Sequence, residues 1–111
     1  MNPLTAGDID LSSQQLQEIR MILSSHVPDI TVWAFGSRVT GSARQYSDLD
    51  LALITIEPLP LVTKADLVAC FSESNLPFKI DLVDWASTSD NFRKIILANK
   101  VVIQGRETGN F

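Results

Sequence analysis

Cysteine is almost missing from this chain: Cys70 stands alone among 111 residues, so no disulfide can form within it. A lone thiol fits a reducing compartment, which makes the cytoplasm the expected location. No apolar run approaches the roughly 20 residues that a membrane-crossing helix needs. Met1 to Asp8 shows no basic segment followed by an apolar one, so a secretory leader is not expected either. Clustered positive charge is also lacking. The 9 basic residues are scattered among 13 acidic ones, for a net charge of −4. Non-specific binding to nucleic acid normally needs grouped Lys and Arg to displace counterions, so direct nucleic-acid binding is not expected. Two common phosphate-binding fingerprints, G-x-G-x-x-G and G-x-x-x-x-G-K-[ST], are absent. There are no internal repeats and no long linker. The length suits a single domain over residues 1–111, with 1–10 and 104–111 expected to be flexible ends.

Alternating helical and strand patterns make up the rest. Ser12 has Gln15 at the capping-box position, and Leu11 and Leu16 have the spacing of a hydrophobic staple. Leu16, Ile19, Ile22, Leu23 and Val27 then recur at helical spacing until Pro28. Ile30 to Phe35 is β-branched and aromatic, the composition of a strand. Ser37 to about Ala43 reads as a short helix or turn, and Leu49 to Ile54 as a strand covered on both faces. Thr63 is the expected cap of a helix reaching Glu73, with Leu67, Val68 and Phe71 turned inward. Phe78 to Val83 predicts a third strand. Ser87 to Ser89 offers caps for a helix to Asn99, buried through Phe92, Ile95 and Ile96, and Val101 to Ile103 a fourth, edge strand. The alternation predicts a compact α/β sandwich.

Chemistry concentrates between Trp33 and Ile54. Gly36-Ser37 closes one apolar run, and Asp48-Leu49-Asp50 opens the next. Glycine lets a backbone approach a bulky anion, and amides at a turn can bind phosphate. Asp48 and Asp50, two residues apart, point to the same side of a strand. Like charges so close repel unless a cation lies between them, and hard oxygen donors suit Mg²⁺. Two-metal phosphoryl chemistry asks for one more carboxylate. Asp81, among Ile80, Leu82 and Val83, is preferred to Asp84, which alternates to the other face and reads as a strand end or cap. Singly, these features are ordinary turn and capping residues. Their combination points to nucleotide chemistry.

Gly36-Ser37, ten intervening residues and Asp48-Leu49-Asp50 resemble the G-S-x10-D-x-D signature of the DNA polymerase β-like nucleotidyltransferases. From about Ser12 to Ile103 the chain is similar to their minimal (MNT) members. The resemblance implies a mixed sheet of three to four strands flanked by helices. It implies that Asp48, Asp50 and Asp81 are catalytic and hold two Mg²⁺ ions, and that Gly36 and Ser37 contact the triphosphate. It implies transfer of AMP from ATP to a hydroxyl, a tyrosine of a HEPN-type toxin, by an antitoxin that forms a hetero-oligomer with the product of an adjacent gene. Arg38, Arg44 and Lys79 are candidates to neutralise phosphate charge, with Arg38 and Lys79 carried as nucleotide-binding residues. One departure is Thr40, where many such antitoxins carry arginine before the second glycine. The alternatives are a catalytically idle module that neutralises its partner by binding, and a transferase for small-molecule hydroxyls.

Overall fold

A computed structural model describes residues 9–105. Helix α1 (Ser13–His26) is followed by β1 (Thr31–Phe35), a single turn of helix α2 (Ser37–Thr40), β2 (Leu49–Ile54), α3 (Leu61–Ser72), β3 (Ile80–Asp84), α4 (Asp90–Asn99) and β4 (Val101–Gln104). The strands form one sheet in the order β3-β2-β1-β4. β1 runs antiparallel to both β2 and β4, whereas β2 and β3 are parallel and joined through α3. The sheet is therefore mixed, and β4 is an edge strand as expected.

Strand alternation separates two cores. Val32, Ala34, Leu49, Leu51 and Leu53 join Leu16, Ile19 and Leu23 of α1 and Leu67 and Phe71 of α3. On the other face Trp33, Phe35, Ala52 and Ile54 meet Ile96 of α4. Trp33 and Trp85 pack edge to face with centroids 5.4 Å apart, which makes both tryptophans packing residues. The capping box of α1 is formed: the Gln15 amide donates to Ser12 Oγ, and the Ser12 amide to Gln15 Oε1. Ser89 caps α4 by accepting from the Phe92 amide at 3.1 Å. His26 sits in the last turn of α1, its Nδ1 2.9 Å from the Ile22 carbonyl oxygen. Cys70 is half-buried against the larger core.

Several sequence expectations need correction. α3 begins at Leu61 with Pro60 at its cap position, so Thr63 lies inside the helix and caps nothing. Proline supplies the right backbone angle for a helix entry without a side-chain bond. Val68 is 45% exposed and Ile95 62% exposed, each one step off the buried stripe of its helix. β3 starts at Ile80 rather than Phe78. Ile9 is buried and Gln104 belongs to β4, its side-chain amide donating to the carbonyls of Val27 and Ile30. The expected flexible ends therefore do not include these residues; 1–8 and 106–111 lie outside the described part.

Candidate active site

β1 ends at Phe35, and Gly36 turns the chain into α2 with φ +84°. Only glycine adopts that angle without strain. A Cβ on Gly36 would also collide with the Asp50 carboxylate. The backbone of the turn is therefore laid directly against the acid on the neighbouring strand. Ser37 is half-buried at the start of α2, where the first amides of a helix have no intrahelical acceptor. Gly41 closes the turn in the left-handed conformation, its amide donating to the Ser37 carbonyl at 3.1 Å.

The carboxylates come together through the sheet register. Phe35 pairs with Asp50 across β1 and β2, and Asp50 pairs with Asp81 across β2 and β3. Asp48 stands two residues before Asp50, at the entry to β2. Asp50 is half-buried, while Asp48 and Asp81 are exposed. Burial pushes the Asp50 carboxyl above its ordinary value, and the negative charges of Asp81 and then Asp48 push in the same direction. Its place among Ile80, Leu82 and Val83 does not bury Asp81. It is exposed, and what marks it is its place beside Asp50. Asp84 is the buried one, 7% exposed on the α3 face, with Lys64 Nζ 3.4 Å from Oδ2. Its Oδ1 finds no hydrogen-bond partner among the described residues, and it makes no side-chain bond to the turn that follows. Asp84 is thus a buried ion-pair partner rather than a cap.

Among the described residues no three carboxylates, histidines or cysteines converge closely enough to form a ready-made metal cage. The donor chemistry nevertheless fits a hard divalent cation. Three carboxylates share one rim, and a cation there would offset both the burial of the Asp50 carboxyl and its repulsion by Asp81 and Asp48.

Arg38 requires the largest correction. It is 5% exposed, and its guanidinium is used up by the backbone. Nε donates to the Ser47 carbonyl at 3.0 Å and Nη1 to Asp10 at 2.9 Å. Nη2 donates to Gln45 at 2.9 Å and to Arg44 at 3.4 Å. The plane lies 4.0 Å from the Phe78 ring centroid. Arg38 is therefore not a phosphate ligand; it clamps the 44–47 loop that delivers Asp48. The sequence holds no cue for this, since a buried arginine and a phosphate-binding one look alike beside Gly-Ser. Arg44 and Lys79 are exposed. The Lys79 carbonyl accepts from the Leu49 amide at 2.9 Å, which sets residue 79 beside the entry to β2, where it lines one cleft with Asp48.

The family profile described as "Polymerase beta, Nucleotidyltransferase" matches residues 17–108. A Haemophilus influenzae protein named "Probable protein adenylyltransferase MntA" is 54% identical over 101 residues, covering 91% of this chain and 89% of that one. The Thermococcus cleftensis "Protein adenylyltransferase MntA" is 30% identical over 95 residues, covering 79% of this chain and 95% of that one. Among solved structures, a toxin–antitoxin crystal structure with AMP-PNP superposes with a TM-score of 0.70 at 24% identity, over 83% of this chain and 74% of that one. A complex of tri-AMPylated Shewanella oneidensis HEPN toxin with MNT antitoxin gives 0.61 at 24% identity, over 82% and 70%. At these identities the structural matches establish the fold.

Proposed function

The chain belongs to the polymerase β-type nucleotidyltransferases, in the minimal group of its Haemophilus and Thermococcus relatives, and from that premise we propose that it is a protein adenylyltransferase that acts as an antitoxin. Its acceptor is a hydroxyl, in our reading a tyrosine, on a HEPN-domain toxin that it meets in the cytoplasm. The observation that carries this is the juxtaposition of Gly36, Asp50 and Asp81 on adjoining strands. A phosphate-approaching turn touches the central acid, and a third acid lies on its other side.

Ser37 and the turn amides after Gly36 would hold the terminal phosphates of ATP. Asp48, Asp50 and Asp81 would hold Mg²⁺, two ions in all, and Lys79 would balance residual charge at the rim. Magnesium bound there would neutralise phosphate charge and acidify the acceptor hydroxyl. Asp81 would orient that hydroxyl or take its proton. The acceptor oxygen then bonds to the α-phosphorus as the bond to pyrophosphate breaks. AMP stays on the partner and pyrophosphate leaves toward Ser37. The barrier falls through positioning and fixed charge, as in other phosphoryl transfers.

The test uses ATP labelled at the α-phosphate, Mg²⁺ and the HEPN-domain partner. Label is expected on the partner with the wild-type chain and on nothing with Asp48→Asn/Asp50→Asn. An unlabelled partner that both forms neutralise equally would replace transfer by occlusion.

A further inference from the structure

The outer side of α3 and the connection leading into it expose apolar surface that the proposed chemistry does not use. Ile56 is 94% exposed, Leu61 86%, Val62 73% and Val68 45%. Ala65, Ala69 and Ser72 are exposed beside them. Leu61, Ala65, Val68 and Ser72 follow one another at helical spacing and line one side of α3. Leu67 and Phe71 fill the core from the adjoining side, and Lys64 reaches in to Asp84. The helix thus carries exposed apolar residues beside its buried stripe, with the exposed acids Asp66 and Glu73 on the side away from the core. Its exposed apolar residues, with Ile56, amount to on the order of 500 Å², the range of the largest apolar patch on a single chain, which is often functional.

The stripe leads somewhere. At the C-terminal end of α3 it enters a cleft of about 630 Å³ whose lining includes Val68, Phe71, Leu76 and Pro77 and, at the catalytic rim, Asp48 and Lys79. The exposed ring of Tyr46 stands across it. Sheet order gives this cleft its meaning. Gly36 and Ser37 follow β1 on one side of Asp50, and the cleft borders β3 on the other. In an in-line displacement the attacking oxygen and the leaving pyrophosphate lie on opposite sides of the phosphorus. With the phosphates held on the β1 side, an acceptor would arrive from the β3 side, where Asp48 is the one proposed metal-holding acid in the cleft lining.

We propose that the outer face of α3, from Ile56 and Leu61 to Val68, docks an apolar surface of the partner protein, and that the cleft beside Asp48 and Lys79 receives the segment bearing the hydroxyl to be adenylylated. This rests on the transfer reading above for the identity of the partner and of the modified group. Continuity of the stripe with the catalytic rim favours that occupant over a second copy of this chain, for which nothing would call for the patch to run into the cleft.

The test compares Leu61→Glu and Val68→Glu with Met21→Glu, a control on α1 that is 61% exposed. All three sites face solvent, so their unfolding midpoints should stay at the wild-type value. The full chain, Mg²⁺–ATP and the HEPN-domain partner are used, and nucleotide affinity, partner affinity and AMP incorporation are read separately. The α3 variants should bind the partner at least tenfold more weakly and raise its KM tenfold. Nucleotide affinity should not move, and Met21→Glu should stay within twofold of wild type throughout. Wild-type partner affinity in the α3 variants overturns the proposal. So does lost nucleotide affinity, which would make the cleft a nucleobase site, or a wild-type dimer that these variants merely dissociate. If the partner binds through α3 yet takes no AMP, the docking face stands and the transfer reading fails.

Discussion

Replacing Arg38 by methionine tests the reassignment of this residue from phosphate ligand to loop clamp. The substitution keeps most of the aliphatic volume and removes hydrogen bonds to the carbonyls of Asp10, Gln45 and Ser47, together with the longer one to Arg44. A hydrogen bond from a charged donor contributes about 1.5–3 kcal/mol. The three short ones do not add in full, because the 44–47 loop is largely solvent-facing and its carbonyls can be hydrated once released. A net loss of about 3 kcal/mol is therefore expected, including the stacking on Phe78. For a chain of this length that corresponds to a fall in Tm of about 10 °C. Lysine at the same position should recover only part of the loss, since one ammonium cannot reach carbonyls on both sides of a planar fork. Urea unfolding followed by the fluorescence of buried Trp33, with Mg²⁺–ATP affinity measured on the folded variant, separates the two roles. An unfolding free energy within about 0.5 kcal/mol of wild type, combined with a large drop in nucleotide affinity, would show that Arg38 binds phosphate and that the clamp argument is wrong.

Two further outcomes follow from the same geometry. In the metal-free protein the Asp50 carboxyl titrates above its unfolded value of 3.8, so the folded state holds that proton more tightly. Its contribution to stability is fully present below the unfolded value and is lost as pH rises through the folded one. Asp50→Asn should remove this dependence and raise the midpoint of the metal-free protein near neutrality, while abolishing AMP incorporation; an unchanged pH profile would place the strain elsewhere. Gly36→Ala meets both a positive φ and the Asp50 carboxylate. It should cost about 1–3 kcal/mol and displace Asp50, so that transfer is lost at any ATP concentration. Full activity at wild-type stability would mean that the turn does not need its close approach.

The helix and strand pattern was readable along the chain because each element has a buried stripe whose period shows in the residues themselves. Leu16, Ile19 and Leu23 fall on one side of α1, and Leu49, Leu51 and Leu53 on one side of β2. Capping by Ser12 and Ser89 is local chemistry, legible within four residues. The errors came where period alone is ambiguous. Val68 and Ile95 continue an apolar pattern yet face outward, because helix rotation is set by what packs underneath.

At the site, the spacing of Gly36, Ser37, Asp48 and Asp50 is a property of the chain alone: a turn, a loop and a strand entry within one hairpin return those residues to each other. Three matters depended on contacts between distant segments. Parallel pairing of β2 with β3 put Asp81 beside Asp50 and sent Asp84 to Lys64, partners that alternation along one strand could not name. Burial turned Arg38 inward, because the carbonyls it satisfies belong to Asp10 and to a loop that reaches it only in the folded chain. The exposed stripe of α3 became a surface rather than a core face only when the adjoining side had filled the interior with Leu67 and Phe71. Local sequence determines which groups are available; long-range register and burial determine which way each one points.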